Sequence, residues 1–129
     1  MPLKILLIDN NRVFLSAVSQ LLGALQGALV VGQAHDGDEA MALAQRTQPD
    51  LVLLELALPK AGSPELARTL RQMPHPPRIV FLSMHSSDLY SDISSDLGAE
   101  SFVDKAEFVV KLLPAIEALI AERQAAIAV

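Results

Sequence analysis

The sequence predicts an α/β fold, a three-layer sandwich in which a parallel five-stranded sheet lies between two layers of helices. Short runs rich in Ile, Val and Leu alternate along the chain with longer stretches of helical period. This alternation is the signature of βαβ units around a parallel sheet. Most of the short runs are continuously apolar, as expected for strands that helices cover on both faces.

Five apolar runs are predicted as strands. They are Leu3–Ile8, Leu29–Ala34, Leu51–Leu54, Ile79–Leu82 and the shorter Ser101–Val103. Right-handed crossovers and short connections leave few ways to order such strands in one sheet. The leading arrangement is the flavodoxin-like order 2-1-3-4-5.

The first two helices are predicted from an apolar stripe and a capping box. The stripe of the first helix consists of Val13, Phe14, Ala17, Val18, Leu21 and Leu22. Gly23 or Gly27 ends this helix, because glycine is the usual residue just beyond a helix. The second helix begins after Asp36, whose side chain can cap it, and Glu39 completes a capping box.

Three further helices follow. Ser63 and Pro64 start the third helix, which ends before Pro74. Apolar residues at helical spacing predict the fourth, which ends at Gly98; they are Leu89, Ile93 and Leu97. Proline is tolerated only in the first turn, so the last helix begins within about a turn before Pro114. Its buried face is predicted to consist of Ile116, Leu119 and Ile120.

Length and composition indicate one domain of a soluble protein. The chain has 129 residues, 51% hydrophobic, and its longest apolar run is far shorter than the roughly 20 residues that cross a bilayer. We assign residues 1–124 to a single domain and residues 125–129 to a C-terminal tail. Cysteine is absent, which fits a reducing compartment and excludes thiolate chemistry. We therefore expect a cytoplasmic protein without membrane association.

The charge balance argues against direct nucleic-acid binding. Ten basic and fifteen acidic side chains give 10 − 15 = −5 with histidine neutral. Nucleic-acid binding requires a basic patch or stripe, and no lysine or arginine cluster is present.

Polar residues follow the predicted strands at their carboxyl ends, where open α/β sheets bind ligands. They are Asp9 and Asn10 after the first strand, Glu55 after the third, Ser83 after the fourth and Lys105 after the fifth. Such a set suits a divalent cation, or a phosphoryl group that lysine neutralises and serine hydrogen-bonds. From spacing alone a structural interpretation stays open, in which Asp9 caps the first helix and Glu55 pairs with Lys105.

The sequence resembles the receiver domain of two-component response regulators over nearly its whole length. The segments that carry the resemblance are Ile5–Asn10, Val31–Ala34, Asp36–Ala40, Pro49–Leu56 with Pro59, Ile79–Ser83 and Gly98–Lys105. The resemblance implies an aspartyl-phosphate switch, in which a kinase histidine phosphorylates an aspartate that ends the third strand. An acidic pair after the first strand then holds Mg²⁺, and a Ser/Thr and an aromatic residue shift inward.

Four positions match this pattern and three depart from it. The resemblance assigns Asp9 to the acidic pair, Ser83 and Phe102 to the switch, and Lys105 to phosphate contact; these match. The phosphoacceptor position holds Glu55, the second acidic position holds Asn10, and bulky Met84 stands at the mouth of the pocket, where a small residue is usual.

These departures predict impaired phosphotransfer. The additional methylene of Glu55 displaces the carboxylate, and in-line transfer depends on close positioning. Asn10 removes a negative charge that Mg²⁺ binding needs, so any metal site at Asp9 and Glu55 is expected to be weak. No other cofactor is expected.

We therefore predict a non-enzymatic, atypical, stand-alone receiver domain that acts in a two-component or phosphorelay pathway through protein–protein contacts. In one mechanism Glu55 pairs permanently with Lys105 and the domain is a phosphorylation-independent scaffold. In another, Glu55 partly mimics a phosphoryl group. The alternatives are a genuine Mg²⁺-dependent phosphoacceptor and a flavodoxin-like small-molecule binder.

The resemblance also implies how the domain meets its partners. A histidine kinase or an output protein would dock on the surface formed by the fourth helix, the fifth strand and the last helix. Receivers often pair through the same surface, so a homodimer is a further expectation.

Overall fold

The structure is a computed structural model that describes residues 1–58, 62–84 and 101–128. Its strands are β1 (Leu3–Ile8), β2 (Ala28–Ala34), β3 (Leu51–Glu55), β4 (Arg78–Ser83) and β5 (Ser101–Asp104). Its helices are α1 (Arg12–Gly23), α2 (Gly37–Thr47), α3 (Gly62–Arg71) and the last helix, α4 (Leu113–Ala128). A 3₁₀ turn (Lys105–Glu107) and a π turn (Phe108–Leu112) join β5 to α4. The helix predicted around Leu89, Ile93 and Leu97 lies outside the described residues.

The five strands form one parallel sheet in the order β2-β1-β3-β4-β5, which confirms the predicted flavodoxin-like α/β topology. Each observed strand agrees with its prediction to within one residue at either end. The register places Ile8 beside Leu54, and Glu55 beside Leu82. The residues that leave β1, β3 and β4 therefore lie side by side at the carboxyl edge of the sheet.

Two apolar clusters, one on each face of the sheet, make up the core. Successive strand residues alternate between them: Val80 and Leu82 belong to one cluster, and Ile79 and Phe81 belong to the other. The first cluster is completed by α1 and α4, and the second by α2 and α3. This alternation explains why the central strands read as continuous apolar runs, because both of their faces are covered.

The predicted stripe of α1 is displaced from the face that the protein buries. The buried residues of α1 are Leu15, Val18 and Leu22, and Phe14 is half-buried. Val13 is 81% exposed, and Leu21 and Ala17 are also exposed. At about 100° per residue, the buried face is rotated by roughly a quarter turn from the centre of the predicted stripe. The six apolar residues of the stripe cover a wider arc of the helix than the face that packs against the core. The apolar pattern therefore did not locate the centre of the buried face.

The helix ends agree with the predicted capping only in part. Asp36 caps α2 by accepting a hydrogen bond from Glu39 N at 2.9 Å, as predicted. Glu39 was predicted to complete a capping box, but its Oε1 lies 3.2 Å from His35 Nδ1 and pairs with that imidazole. Helix α3 begins one residue earlier than predicted, at Gly62. Helix α4 begins directly before Pro114 as predicted, and it continues through residues 125–128, which we had assigned to a tail.

Candidate functional site

Asp9 anchors the first corner of the candidate site. It directly follows β1, is almost completely buried, and its backbone N–H donates to Ala34 O at 3.0 Å. Its Oδ1 accepts a hydrogen bond from Asn11 N at 2.8 Å. Asn11, rather than Asp9, caps α1 by accepting from Phe14 N at 3.0 Å. One carboxylate oxygen of Asp9 is thus used to shape the turn, and the other is left for the pocket.

Glu55 ends β3 and forms the second corner. Its side chain is buried, and the following backbone N–H, of Leu56, donates to Leu82 O at 2.8 Å. The buried hydroxyl of Ser63, on the first turn of α3, donates to the carbonyl oxygen of Glu55. Ser63, predicted at the start of the third helix, therefore ties α3 to the backbone at the end of β3.

Lys105 brings the two carboxylates together. It directly follows β5, and its Nζ lies 2.6 Å from Asp9 Oδ2 and 3.6 Å from Glu55 Oε2. The side chains of Lys105, Asp9 and Glu55 are only 4%, 2% and 8% exposed. Lys105 is therefore paired most closely with Asp9, and Glu55 is its second, weaker partner. We call these three residues the buried triad.

The buried triad carries an excess of negative charge. Two carboxylates face one ammonium group. The short contact with Asp9 is a charge-assisted one, and the longer contact with Glu55 adds to it. Burial raises the pKa of Glu55; the positive charge of Lys105 opposes this rise and the negative charge of Asp9 adds to it.

One aromatic ring contacts the ammonium of Lys105, and a second ring packs against the first. Its Nζ lies 4.4 Å from the centroid of the Phe14 ring, within the range of a cation–π interaction. The Phe108 ring packs edge-on against Phe14, with centroids 6.3 Å apart and an interplanar angle of 89°. Polar contact on one side and an aromatic face on the other thus surround the ammonium.

The other predicted site residues differ in exposure. Ser83 ends β4 and is buried, whereas Asn10 is exposed and Met84 is 62% exposed. Phe102 is half-buried and packs against the core cluster that α2 and α3 cover. Asn10 and Met84 therefore stand outside the buried set.

The donor set does not fit a divalent cation well. Mg²⁺ prefers six oxygen ligands at about 2.0–2.1 Å. In proteins these are usually one or two carboxylates together with several waters. Here the Lys105 ammonium occupies the space against both carboxylates, and Asn10 is exposed. Within residues 1–58, 62–84 and 101–128, no three His, Cys, Asp or Glu side chains are grouped to hold a metal.

A further cavity lies at the opposite edge of the sheet. It is an open groove of about 730 Å³, and residues from the amino ends of the strands line it, among them Lys4, Asp50 and Arg78. The buried triad lies at the carboxyl ends. This groove is therefore separate from the candidate site.

Three residues of the site were not predicted to belong to it: Asn11, Phe14 and Phe108. Asn11 carried a usable signal, since asparagine is a favoured N-cap and directly precedes the first helical residue. Phe14 also carried one, because the first turn of a helix that follows β1 borders the same edge as Asp9. Phe108 lies beyond β5 in an irregular turn, for which no periodic pattern exists.

Residues 5–117 match the response regulator receiver domain family. The nitrate/nitrite response regulator NarL of Escherichia coli K12 is 33% identical over 106 residues, which cover 81% of this chain and 48% of NarL. The chain spans about half the length of the curated relatives that it matches.

Solved structures share the fold. A two-component response regulator of the LuxR family from Aurantimonas sp. SI85-9A1 superposes with a TM-score of 0.84 at 31% identity, covering 95% of this chain and 87% of that one. A chain in the complex of the P1 domain of CheA3 with CheY6 from R. sphaeroides gives a TM-score of 0.77 at 24% identity, covering 93% and 98%.

No helix in the described part of the chain combines the length and apolarity needed to cross a membrane. The parallel sheet, the Asp9 and Lys105 positions at its carboxyl edge, and the match over residues 5–117 agree with one another. The chain therefore belongs to the receiver domains of two-component response regulators.

Proposed function

We propose that this receiver domain signals through protein–protein contacts without phosphorylation of residue 55. The observation that supports this proposal best is the buried triad, in which Lys105 Nζ contacts Asp9 at 2.6 Å and Glu55 at 3.6 Å. The charged side chains that would bind a phosphoryl group and a metal ion are already paired with one another. The domain then acts as a scaffold whose surface does not depend on a kinase.

The chemistry of Glu55 supports the same proposal. In-line phosphoryl transfer loses rate steeply when the nucleophile is misplaced by about 1 Å, and glutamate is one methylene longer than aspartate. Burial raises the pKa of Glu55, so the anionic nucleophile is disfavoured in addition. Exposed, uncharged Asn10 adds no charge for Mg²⁺, so we propose that metal binding at Asp9 and Glu55 is weak.

Incubation with acetyl phosphate and Mg²⁺, followed by intact-mass analysis, tests this proposal. The wild-type chain should acquire no more phosphoryl adduct than Glu55→Ala. The double variant Asn10→Asp with Glu55→Asp restores both acidic positions and should gain labelling. A stoichiometric wild-type adduct that Glu55→Gln abolishes would show that Glu55 is a phosphoacceptor.

A second candidate function is partial mimicry of the phosphorylated state. It is supported by the 3.6 Å contact of Glu55 Oε2 with Lys105, the residue to which the resemblance assigns phosphate contact. Glutamate carries one negative charge, whereas a phosphoryl group carries nearly two. Mimicry by Glu55 is therefore incomplete in charge.

Backbone amide NMR spectra of the wild type and Glu55→Gln distinguish the two candidates. The scaffold proposal expects shift changes confined to the neighbours of Glu55, Lys105 and Asp9. Mimicry expects changes that extend to Phe102 and the last helix, because loss of the charge would return the switch surface to its resting state. Partner binding compared between the same two proteins should be unchanged for a scaffold and weakened for a mimic.

We propose a histidine kinase or an output protein as the partner. Val109 and Val110, in the π turn before α4, are 57% and 76% exposed and supply an apolar surface beside β5. The family resemblance implies that partners dock on the surface formed by the predicted fourth helix, β5 and α4. A homodimer through this surface is part of the proposal. Val110→Asp should weaken partner binding, whereas Val13→Asp on the exposed face of α1 should not.

A small-molecule function receives less support from the first loop. The N–H groups of Asn11 and Phe14 are already taken by Asp9 Oδ1 and Asn11 Oδ1. A phosphate cradle requires such N–H groups to be free at a helix N-terminus. This loop therefore stabilises its own turn rather than a cofactor.

A further inference from the structure

Phe14 contacts the one positive charge of the buried triad. The ring centroid lies 4.4 Å from Lys105 Nζ, although the two residues are far apart in sequence. The Phe108 ring lies perpendicular to the Phe14 ring, with centroids 6.3 Å apart. This packing restricts the orientation of the ring that contacts the ammonium.

The ammonium in this contact is shielded from solvent, since the Lys105 side chain is only 4% exposed. A cavity of about 10 Å³ beside Asp9 and Phe14 is otherwise lined by aliphatic side chains, including Leu15 and Val18. This volume is at the lower limit for one water molecule, which would also need two to four polar partners. A cation–π interaction is strongest in such a desolvated place.

The two carboxylates do not by themselves explain the position of Lys105. Asp9 Oδ2 and Glu55 Oε2 approach its ammonium at unequal distances, 2.6 and 3.6 Å. A flexible lysine held by charge alone has several ways to contact two carboxylates. An aromatic face over the ammonium reduces that choice.

We propose that Phe14 is a positioning residue, whose ring holds the ammonium of Lys105 in a buried site against Asp9 and makes it the permanent counter-ion of the pocket. This inference rests on the proposed function and deepens it, since it names what keeps the pocket in its self-paired form. The ring acts through its aromatic face, and not only by filling space.

Amine labelling of the purified chain tests this role. With trinitrobenzenesulfonate and residue-resolved mass spectrometry, wild-type Lys105 should react at least about tenfold more slowly than exposed Lys111. Phe14→Leu keeps an apolar side chain but removes the aromatic face, and it should raise the Lys105 rate by a factor of about ten with Lys111 unchanged. Phe14→Tyr keeps the ring and should preserve the protection.

Val18→Ala is the matched control, because Val18 lines the same small cavity and carries no ring. It should leave Lys105 protected. If Val18→Ala exposes Lys105 as much as Phe14→Leu, or if Phe14→Leu leaves Lys105 protected, the ring has no specific role and the proposal is overturned.

A measurement on the wild type keeps the proposal testable if Phe14→Leu does not fold. The ring current of Phe14 should shift the ε-methylene protons of Lys105 upfield relative to those of Lys111. Equal shifts would overturn the proposal. Neither experiment uses a phosphodonor, so a phosphoryl adduct on Glu55 would refute the proposed function while leaving the role of Phe14 to these results.

Discussion

Glu55 is the residue on which the proposed function depends most. It lies at the end of β3, buried, with one ammonium group shared between it and Asp9. Its identity and its place at the sheet edge could be predicted from the sequence. Its unequal share of Lys105 could not, because the distances depend on how three separate strand ends are oriented.

The raised pKa of Glu55 predicts that the free energies of unfolding of the wild type and Glu55→Gln differ by an amount that depends on pH. The ordinary value is 4.5, and the folded protein holds the proton to higher pH. The stabilising contribution of Glu55 is therefore complete below about pH 4.5 and is lost as the pH rises through the folded pKa.

Urea unfolding of both proteins from pH 4 to pH 8 measures this effect. The free energy of unfolding of Glu55→Gln minus that of the wild type should rise with pH, by about 1.4 kcal/mol for each unit by which the pKa is raised. Parallel curves would mean that Glu55 ionises as it does in the unfolded chain.

Lys105 and Lys111 offer a direct comparison between a buried and an exposed ion pair. Lys105→Met leaves two buried carboxylates without a counter-ion, and we expect a loss of about 3–5 kcal/mol in the free energy of unfolding. Lys111 pairs with Glu107 at 3.0 Å on the surface, and Lys111→Met should change stability by less than about 1 kcal/mol. Similar losses in denaturant unfolding would argue against an energetically important buried triad.

The helices and strands differ in how well the sequence predicts them. Strand positions are accurate to within one residue because continuous apolar runs end sharply at polar residues. The packing face of α1 was misplaced, since exposed Val13 and Leu21 extend its apolar pattern to solvent. The edge strand β2 is mostly half-buried, and its run is less apolar than those of β3 and β4 because it contains Gly32 and Gln33.

Helix α2 ends with a residue in an unfavourable backbone conformation. Gln48 has φ 48° and ψ 67°, in the left-handed region, and its N–H donates to Ala44 O at 2.9 Å. Glycine adopts this conformation without the steric cost of a Cβ atom. Gln48→Gly should therefore stabilise the protein by about 0.5–1 kcal/mol.

The control for this substitution is Gln45→Gly, in the same helix. Gln45 is exposed and lies within regular α-helix, where glycine should cost about 1 kcal/mol. Thermal unfolding should therefore shift upward for Gln48→Gly and downward for Gln45→Gly. Two downward shifts would refute the left-handed assignment of Gln48.

At the amino edge of the sheet, Asp50 connects distant parts of the chain. Its Oδ2 accepts a hydrogen bond from Lys4 N at 2.8 Å, and its Oδ1 lies 3.6 Å from Arg123 Nη1 of α4. Its backbone N–H donates to Lys4 O at 2.8 Å, and its carbonyl accepts from Arg78 N. Asp50 thus joins β1, β4 and the last helix, a role that spacing along the chain did not indicate.

Removing the side chain of Asp50 should loosen this edge. We expect Asp50→Ala to lower the free energy of unfolding by about 1–3 kcal/mol, because the N–H of Lys4 loses its partner. Asp50→Asn retains an oxygen acceptor and loses mainly the half-exposed ion pair, so its loss should be below about 1 kcal/mol. Equal losses in chemical unfolding would assign the effect to charge instead of the hydrogen bond.

The buried triad also has a consequence for the order of folding. Asp9 and Lys105 are 105 − 9 = 96 positions apart, and their contact requires β1, β3, β4 and β5 to be assembled in register. Such long-range contacts form after the local ones that nucleate folding. Lys105→Met should then accelerate unfolding while leaving the folding rate nearly unchanged. The ion pair would form late in folding, so that it sets how long a folded molecule survives rather than how quickly it forms.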